Sequence, residues 1–382
     1  MFILKQLYCR IFQGVFKIAL PFLPYRKPDI IEGILDIPNV LKKENSSSVL
    51  LITDSGIRNL GLTRELEENL VKEGFSLAVY DKTVPNPTTD NIEEALAMYK
   101  TNNCDSIIGF GGGSSMDCAK GLGVKVACPN KSLRKMKGIL KVRKKLPLLI
   151  AVPTTAGTGS ETTLAAVITD SKTRHKYAIN DFPLIPRYAV LEPKITLSLP
   201  KQITATTGMD ALLAIRLIFD NIHKVYQDGT QIEPRRDMLK AAFYAGCAFT
   251  KSYVGYVHAI AHSLGGKYNT PHGLANAVIL PFILEAYGKK ARNKLAKLAY
   301  HVGIVPKDVS KKEAAQAFIE QIKEMKHRLG IGDTIEEIQE EDIPILARYA
   351  DKEANPLYPV PKLMDARQLE KFYRMLMKRK EN

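Results

Sequence analysis

Between residues 47 and 195 short apolar runs alternate with amphipathic stretches, and this alternation sets the expected architecture. "SVLLITD" reads as a buried strand ending at Asp54, "IRNLGLTRELEENLVKEG" as a helix closed by Gly74, and "SLAVYD" as the next strand. "NIEEALAMYKTNN" restores the helical period and leads into "SIIGFGGG", a strand that runs into a glycine turn. Residues 147–161, "PLLIAVPTTAGTGSE", add a strand that ends in a loop of small and hydroxyl residues. Strands and helices in strict alternation predict a parallel sheet with right-handed crossovers.

After about residue 195 the pattern changes. "LSLPKQITATTGMDALLAIRLIFDNIHKVY", "MLKAAFYAGCAFTKSYVGYVHAIAHSLGG", "KLAKLAYHVGI", "KKEAAQAFIEQIKEMKHRLGI" and "MDARQLEKFYRMLMKRK" are all helical in period, separated by glycine and proline. The expected class is α/β followed by all-α. The expected organisation is an amphipathic extension over residues 1–28, an α/β dinucleotide-binding domain over 29–195 and a helical domain over 196–382. A chain of 382 residues suits two domains rather than one core.

The extension places Leu4, Leu7, Ile11, Val15 and Ile18 at helical spacing, with Lys5, Arg10 and Lys17 among them. Those cations interrupt each apolar run before it could span a bilayer, and no small-residue cleavage site follows. Docking on the protein's own body or on a partner subunit is the expected role, with a membrane surface as the second reading. Five cysteines without a CxxC pair argue against a disulfide framework and for a reducing cytoplasm. The formal charge of +15 favours acidic partners. Its densest run, "KSLRKMKGILKVRKK", lacks aromatic interleaving, so a solvated loop is expected there and no nucleic-acid partner.

Two loops carry phosphate-binding signals. "GGGSSMDCAK" follows a strand and opens a helix, where Gly112 and Gly113 let backbone approach a phosphate and Ser114 adds a hydroxyl. Asp117, one turn in, either caps the turn or meets a ribose. The loop "PTTAGTGSE" offers Thr154, Thr155 and Thr158 at the end of another strand, the edge at which open parallel sheets bind ligands. Asp54 reads equally as a ribose acceptor that favours NAD over NADP and as a helix N-cap in "TDSG".

Three of the seven histidines fall within residues 258–272. His258 and His262 share one helix face, and His272 follows the break at "NTP". Imidazoles on adjoining helices can converge on a divalent ion that a carboxylate would complete, and Asp210 is the candidate.

Taken together, "VPNPT", "IGFGGGSSMDCAK", "AVPTTAGTGSETT", "ITLSLP", "TATTGMDAL", "HAIAHSLGGKYNTPHGLANAVILP" and "ANPLYPVP" resemble the iron-containing alcohol dehydrogenase family, in the family's order from about residue 47 nearly to the end. The resemblance implies a Rossmann-like domain, then an all-helical one, as in the dehydroquinate synthase-like fold, with iron or zinc in the cleft between them. Carried over by residue, it implies that Asp54, Asn86, Gly113, Ser114, Thr154, Thr155, Thr163, Val167 and Lys176 line an NAD cofactor. It further implies that Asp210, His258 and His272 bind Fe2+ or Zn2+ and that His262 lies by the nicotinamide. The implied reaction is hydride transfer between NAD and a small primary alcohol or aldehyde, in a homo-oligomer, a dimer. One departure stands out: family members place a fourth ligand, a histidine, four residues after the aspartate, where this chain has Ala214. About twenty residues after Leu212, roughly 30 Å of helix, are absent by this alignment. The alternative expectation is a weakened or inactive NAD-binding member that lost a ligand by deletion.

Overall fold

The computed structural model describes residues 2–19, 22–173, 176–197 and 215–378. They fall into two compact units, Pro24–Pro200 with Asp228–Thr250, and Met1–Leu23 with Lys201–Gln227 and Lys251–Asn382.

The first unit holds strands β1 (Asp29–Ile31), β2 (Ser48–Ile52), β3 (Ser76–Tyr80), β4 (Ser106–Gly111), β5 (Gly138–Ile139), β6 (Leu148–Pro153), β7 (Ala165–Thr169), β8 (Lys176–Asn180) and β9 (Tyr188–Val190). Six of them form a sheet in the order β1-β9-β6-β4-β2-β3, with every pairing parallel. Its helices are α2 (Ile37–Lys43), α3 (Ser55–Asn59), α4 (Arg64–Lys72), α5 (Thr89–Thr101) and α6 (Gly113–Ala127). Successive strand side chains point to opposite faces. Leu50, Ile52, Ile107 and Leu149 therefore pack with Ile92, Leu96, Ala119 and Leu122 of α5 and α6. Val49, Leu51, Ile108, Phe110, Ile150 and Val152 pack with Ile37, Leu41, Leu66 and Leu70 of α2 and α4. Burial of every residue in β2 and β4 is what a sheet covered on both faces requires.

The stretch read as a single helix up to Gly74 divides into α3 and α4. Gly61 stands between them at φ 69°, a left-handed turn that glycine adopts without steric cost, and Gly74 closes α4 at φ 86°. A capping box between Thr88 and Asn91 starts α5. The three-stranded sheet β5-β8-β7 contains an antiparallel β7-β8 pair. In the basic run Leu133, Met136 and Val142 are buried while the lysines and arginines from Lys131 to Lys145 are exposed, as expected for a solvated loop.

The second unit contains α1 (Phe2–Ala19), α7 (Ile215–Gln227), α9 (Tyr256–Tyr268), α10 (His272–Tyr287), α11 (Arg292–His301), α12 (Lys311–Arg328), α13 (Ile343–Ala354) and α14 (Ala366–Leu376). Its described residues hold no strand, only a bridge between Ile335 and Met377. The run ending in "AHSLGG" is broken before α9 by Tyr253 at φ 59°. The helix before that break, α8 (Ile232–Ser252), returns almost wholly to the sheet unit. There Gly246 meets Gly159 so closely that a Cβ would stand 2.5 Å from the Gly159 carbonyl oxygen, and the Thr250 hydroxyl donates to the Thr162 carbonyl at 3.3 Å.

Helix α1 docks within its own unit. Lys5 pairs with Asp351 at 2.6 Å, Arg10 donates to the Val360 carbonyl at 2.8 Å, and the Gln13 amide donates to the Tyr358 carbonyl at 2.7 Å. Among the described residues no helix is long and apolar enough to cross a membrane.

Candidate functional site

In the sheet unit, the ends of β4 and β6 bring the two glycine-containing loops together. The Thr154 amide donates to the Gly111 carbonyl at 2.9 Å, so the second loop continues the sheet pairing before it diverges. A Cβ at Gly111 would stand 2.4 Å from the Ser115 hydroxyl, which excludes any side chain there. At Gly112 and Gly113 a Cβ would meet only Thr155 and Thr158, at 3.6 and 3.5 Å, so glycine here leaves room rather than relieving a clash. Gly112, the N-cap of α6, offers no side chain to cap its first turn, and among the described residues the Thr155 hydroxyl is buried without a hydrogen-bond partner. Uncapped first-turn amides and an orphaned hydroxyl beside a glycine gap fit a pyrophosphate, whose charge the helix terminus favours.

Around this gap the predicted residues take distinct places. Ser114 accepts from the Asn86 amide at 3.2 Å, and Asn86 Oδ1 accepts from Lys176 Nζ at 2.6 Å, which ties β8 to the first loop. Asp54 caps α3 by accepting from the Ile57 amide at 3.0 Å, and its other oxygen lies 3.5 Å from the Ser115 hydroxyl. Thr158 accepts from the Ser160 amide at 3.3 Å. Asp117 turns inward, accepting from the Ser160 hydroxyl at 3.4 Å and from the backbone of Val167.

Beneath the loops lies a buried charged group. Lys120, fully buried in α6, donates to the carbonyls of Ser160, Thr163 and Ala165 at 2.7 to 2.9 Å and contacts the Thr163 hydroxyl at 2.8 Å. Burial lowers its pKa and raises that of Asp117, while their mutual attraction opposes both shifts. Glu161 is 1% exposed with one oxygen unpartnered among the described residues, and burial pushes its pKa up to about 7. Lys120 thus pins the second loop from below.

In the helical unit the three histidines do converge. Ring centroids lie 5.1 Å apart for His262 and His272, 5.4 Å for His258 and His272, and 6.2 Å for His258 and His262. Spacing of four residues on α9 and the start of α10 at His272 produce this meeting. His262 Nδ1 lies 2.6 Å from Glu353 Oε1, which also accepts from the Tyr358 hydroxyl at 2.8 Å. Burial pushes the Glu353 carboxyl up, but His262 and the Tyr358 hydroxyl outweigh it and hold the group below its ordinary value. An ionised carboxylate only accepts, so Nδ1 is the donor in this contact. His272 Nε2 lies 3.0 Å from the Asn276 amide nitrogen.

Two imidazoles and a carboxylate form a donor set suited to iron or zinc. His258 and His272 are the imidazoles expected from the sequence. Asp210, the expected carboxylate, lies outside the described residues, as do Leu212, Ala214 and the junction between them. Among the described residues no three such side chains form a complete metal-binding group.

Lys120, Glu161 and Glu353 were not among the residues expected from sequence. Lys120 and Glu161 stand inside the two quoted motifs, and their signal was a charge within an otherwise small and apolar run. Glu353 gave none, because it reaches His262 from 91 positions away.

The chain matches the family "Iron-containing alcohol dehydrogenase" over residues 32–193 and that family's C-terminal region over residues 201–377. It is 34% identical to the 1,3-propanediol dehydrogenase of Citrobacter freundii over 331 residues, covering 80% of this chain and 85% of that one. It is 32% identical to the NAD-dependent methanol dehydrogenase of Bacillus methanolicus over 341 residues, covering 83% and 89%. Among solved structures, the alcohol dehydrogenase from Oenococcus oeni superposes with a TM-score of 0.88 at 32% identity, covering 93% of this chain and all of that one. Both halves of the chain match the family, and its relatives are aligned over most of its length: this protein belongs to the iron-containing alcohol dehydrogenase family and is an oxidoreductase.

Proposed function

We propose that the chain transfers hydride reversibly between NAD and a small primary alcohol or aldehyde, using Fe2+ or Zn2+. The observation that carries this reading is the convergence of His258, His262 and His272 in a chain whose sheet unit presents an uncapped α6 N-terminus beside a glycine gap. NAD dependence is supported by the name of the Bacillus methanolicus relative, and alcohol substrates by the names of that relative and the Citrobacter freundii one.

The first-turn amides of α6 and the Ser114 hydroxyl bind the pyrophosphate, with Gly112 and Gly113 leaving the space. Thr154, Thr155, Thr158 and Thr163 form the second wall, with Val167 on the neighbouring β7. Lys176 and Asn86 close the first loop. Asp54 retains an oxygen beyond its cap for a ribose hydroxyl, which favours NAD over a 2'-phosphorylated cofactor. His258 and His272, with Asp210, would hold the metal, which when bound supplies Lewis acidity toward the substrate oxygen. His262, oriented at Nδ1 by Glu353, would take the proton that an alcohol gives up and return it to the oxygen when an aldehyde is reduced. The five free cysteines, four of them buried, suit a reducing cytoplasm.

Metal content of the purified protein, NADH binding by fluorescence, and NADH oxidation with C2 to C6 aldehydes in added Fe2+ or Zn2+ test the reading. The expected result is aldehyde-dependent oxidation that a chelator abolishes. NADH binding with no oxidation under any of these conditions would instead identify an inactive member that lost its ligand at Ala214.

A further inference from the structure

Helix α1 has two apolar faces, and its docking uses only one. Cys9 is buried, Phe16 packs edge-on against Tyr253 with centroids 5.3 Å apart, and Lys5, Arg10 and Gln13 are held by their partners in the same unit. On the opposite face Leu4, Leu7, Tyr8, Ile11, Val15 and Ile18 are all more than half exposed, reaching 73% at Ile18, and Phe22 just beyond the helix is 85% exposed. At about 100° per residue these positions fall within one stripe about 100° wide, the width of a buried helix face. Single exposed leucines mean little, but a continuous apolar stripe on a helix already anchored by its other side marks an interaction surface.

Charge selects the occupant. From Phe2 to Ala19 the helix has three basic residues and no acidic one, and Lys17 is exposed. Lys5 is already met by Asp351, which leaves Lys17 as the exposed cation for which the helix itself offers no carboxylate. The stripe is also small: at 1.5 Å per residue it is about 21 Å long and about 10 Å wide, a footprint of about 200 Å² against the roughly 800 Å² per partner of a stable interface. An anionic bilayer surface answers both points, because it takes up a narrow apolar stripe and supplies the missing negative charge.

We propose that α1 is a membrane-surface anchor that lays Leu4, Leu7, Ile11, Val15, Ile18 and Phe22 into an anionic lipid interface while its other face stays fixed to the protein. Expectation from sequence put docking on the body or on a partner subunit first and a membrane surface second; the two faces serve the body and the membrane. The proposal is independent of the chain's redox activity.

Flotation of the full chain with vesicles tests it, using phosphatidylcholine alone and phosphatidylcholine mixed with phosphatidylglycerol. The protein is expected to float with the mixed vesicles at least about tenfold better than with the neutral ones. Ile11→Asp with Val15→Asp should abolish flotation, and Lys17→Glu should weaken it about tenfold, with thermal midpoints unchanged because these side chains face outward. Absence of flotation, or flotation that the Ile11→Asp, Val15→Asp variant retains, overturns the proposal. So does a concentration-dependent dimer in light scattering that this variant abolishes without any vesicle binding, since the stripe would then belong to a second copy.

Discussion

The two chemical regions of this protein are made of different materials. At the ends of β4 and β6 the cradle is mostly backbone: first-turn amides of α6, two glycines that leave a gap, and a loop whose carbonyls are gripped from below by Lys120. The histidine cluster is entirely side chains, three rings from α9 and α10 with a carboxylate from α13. A backbone cradle loses function when something is added to it. A side-chain cluster loses function when something is taken away.

The largest effect should come from removing a ring. His272→Ala is expected to lower aldehyde reduction on the order of a thousandfold and to strip the metal, while NADH binding changes less than about twofold; parallel metal analysis and fluorescence titration would show it. Equal loss of NADH affinity would mean the two regions are not separable in this way. Next, Glu353→Gln keeps the shape but removes the charge that fixes His262 Nδ1–H. Partners that orient a reacting imidazole are typically worth about 10- to 100-fold, so kcat should fall by that amount with KM for NADH unchanged. A smaller effect, in the opposite sense of adding matter, is expected of Gly113→Ala. Its Cβ would stand 3.5 Å from Thr158, an ordinary contact, so the thermal midpoint should hold while NADH binds about tenfold more weakly.

The smallest effect concerns stability and not turnover. Glu161, with a pKa near 7 in the fold against an ordinary 4.5, binds its proton more tightly folded than unfolded. Its contribution is therefore complete below about 4.5 and is lost as pH rises toward 7, by on the order of 2 to 3 kcal/mol. Denaturation of the wild type and Glu161→Gln at pH 5 and pH 7.5 should show the variant losing less stability across that interval. Identical pH slopes would remove Glu161 from the account.

What could be read in the sequence follows the same division. Strands β2, β4 and β6 were evident because both faces of the sheet are covered and their apolar runs are nearly unbroken. The glycine loops were evident because a backbone cradle must spell itself with residues that lack side chains, and the i, i+4 spacing of His258 and His262 survives translation into a helix. The break at Gly61 is marked only by the two-residue step from Leu60 to Leu62, a single departure from helical spacing within an otherwise amphipathic stretch. Lys120 was hidden for a physical reason: lysine is ordinarily placed outside, and the convergence of three carbonyls with the nearby carboxylates of Asp117 and Glu161 makes its burial tolerable. Glu353 depends on how α13 packs against α9, which no local pattern encodes. Helix α8 carries the same period whichever unit it joins, so a single boundary near residue 195 misses its return to the sheet unit.

That return has a consequence for modularity. Because residues 228–250 lie against Gly159 and Thr162, the sheet unit is discontinuous in the gene, and one crossover near residue 195 would deliver it without the helix that backs its second loop. Recombination among relatives, natural or engineered, can exchange this cofactor unit intact only through additional junctions on either side of α8.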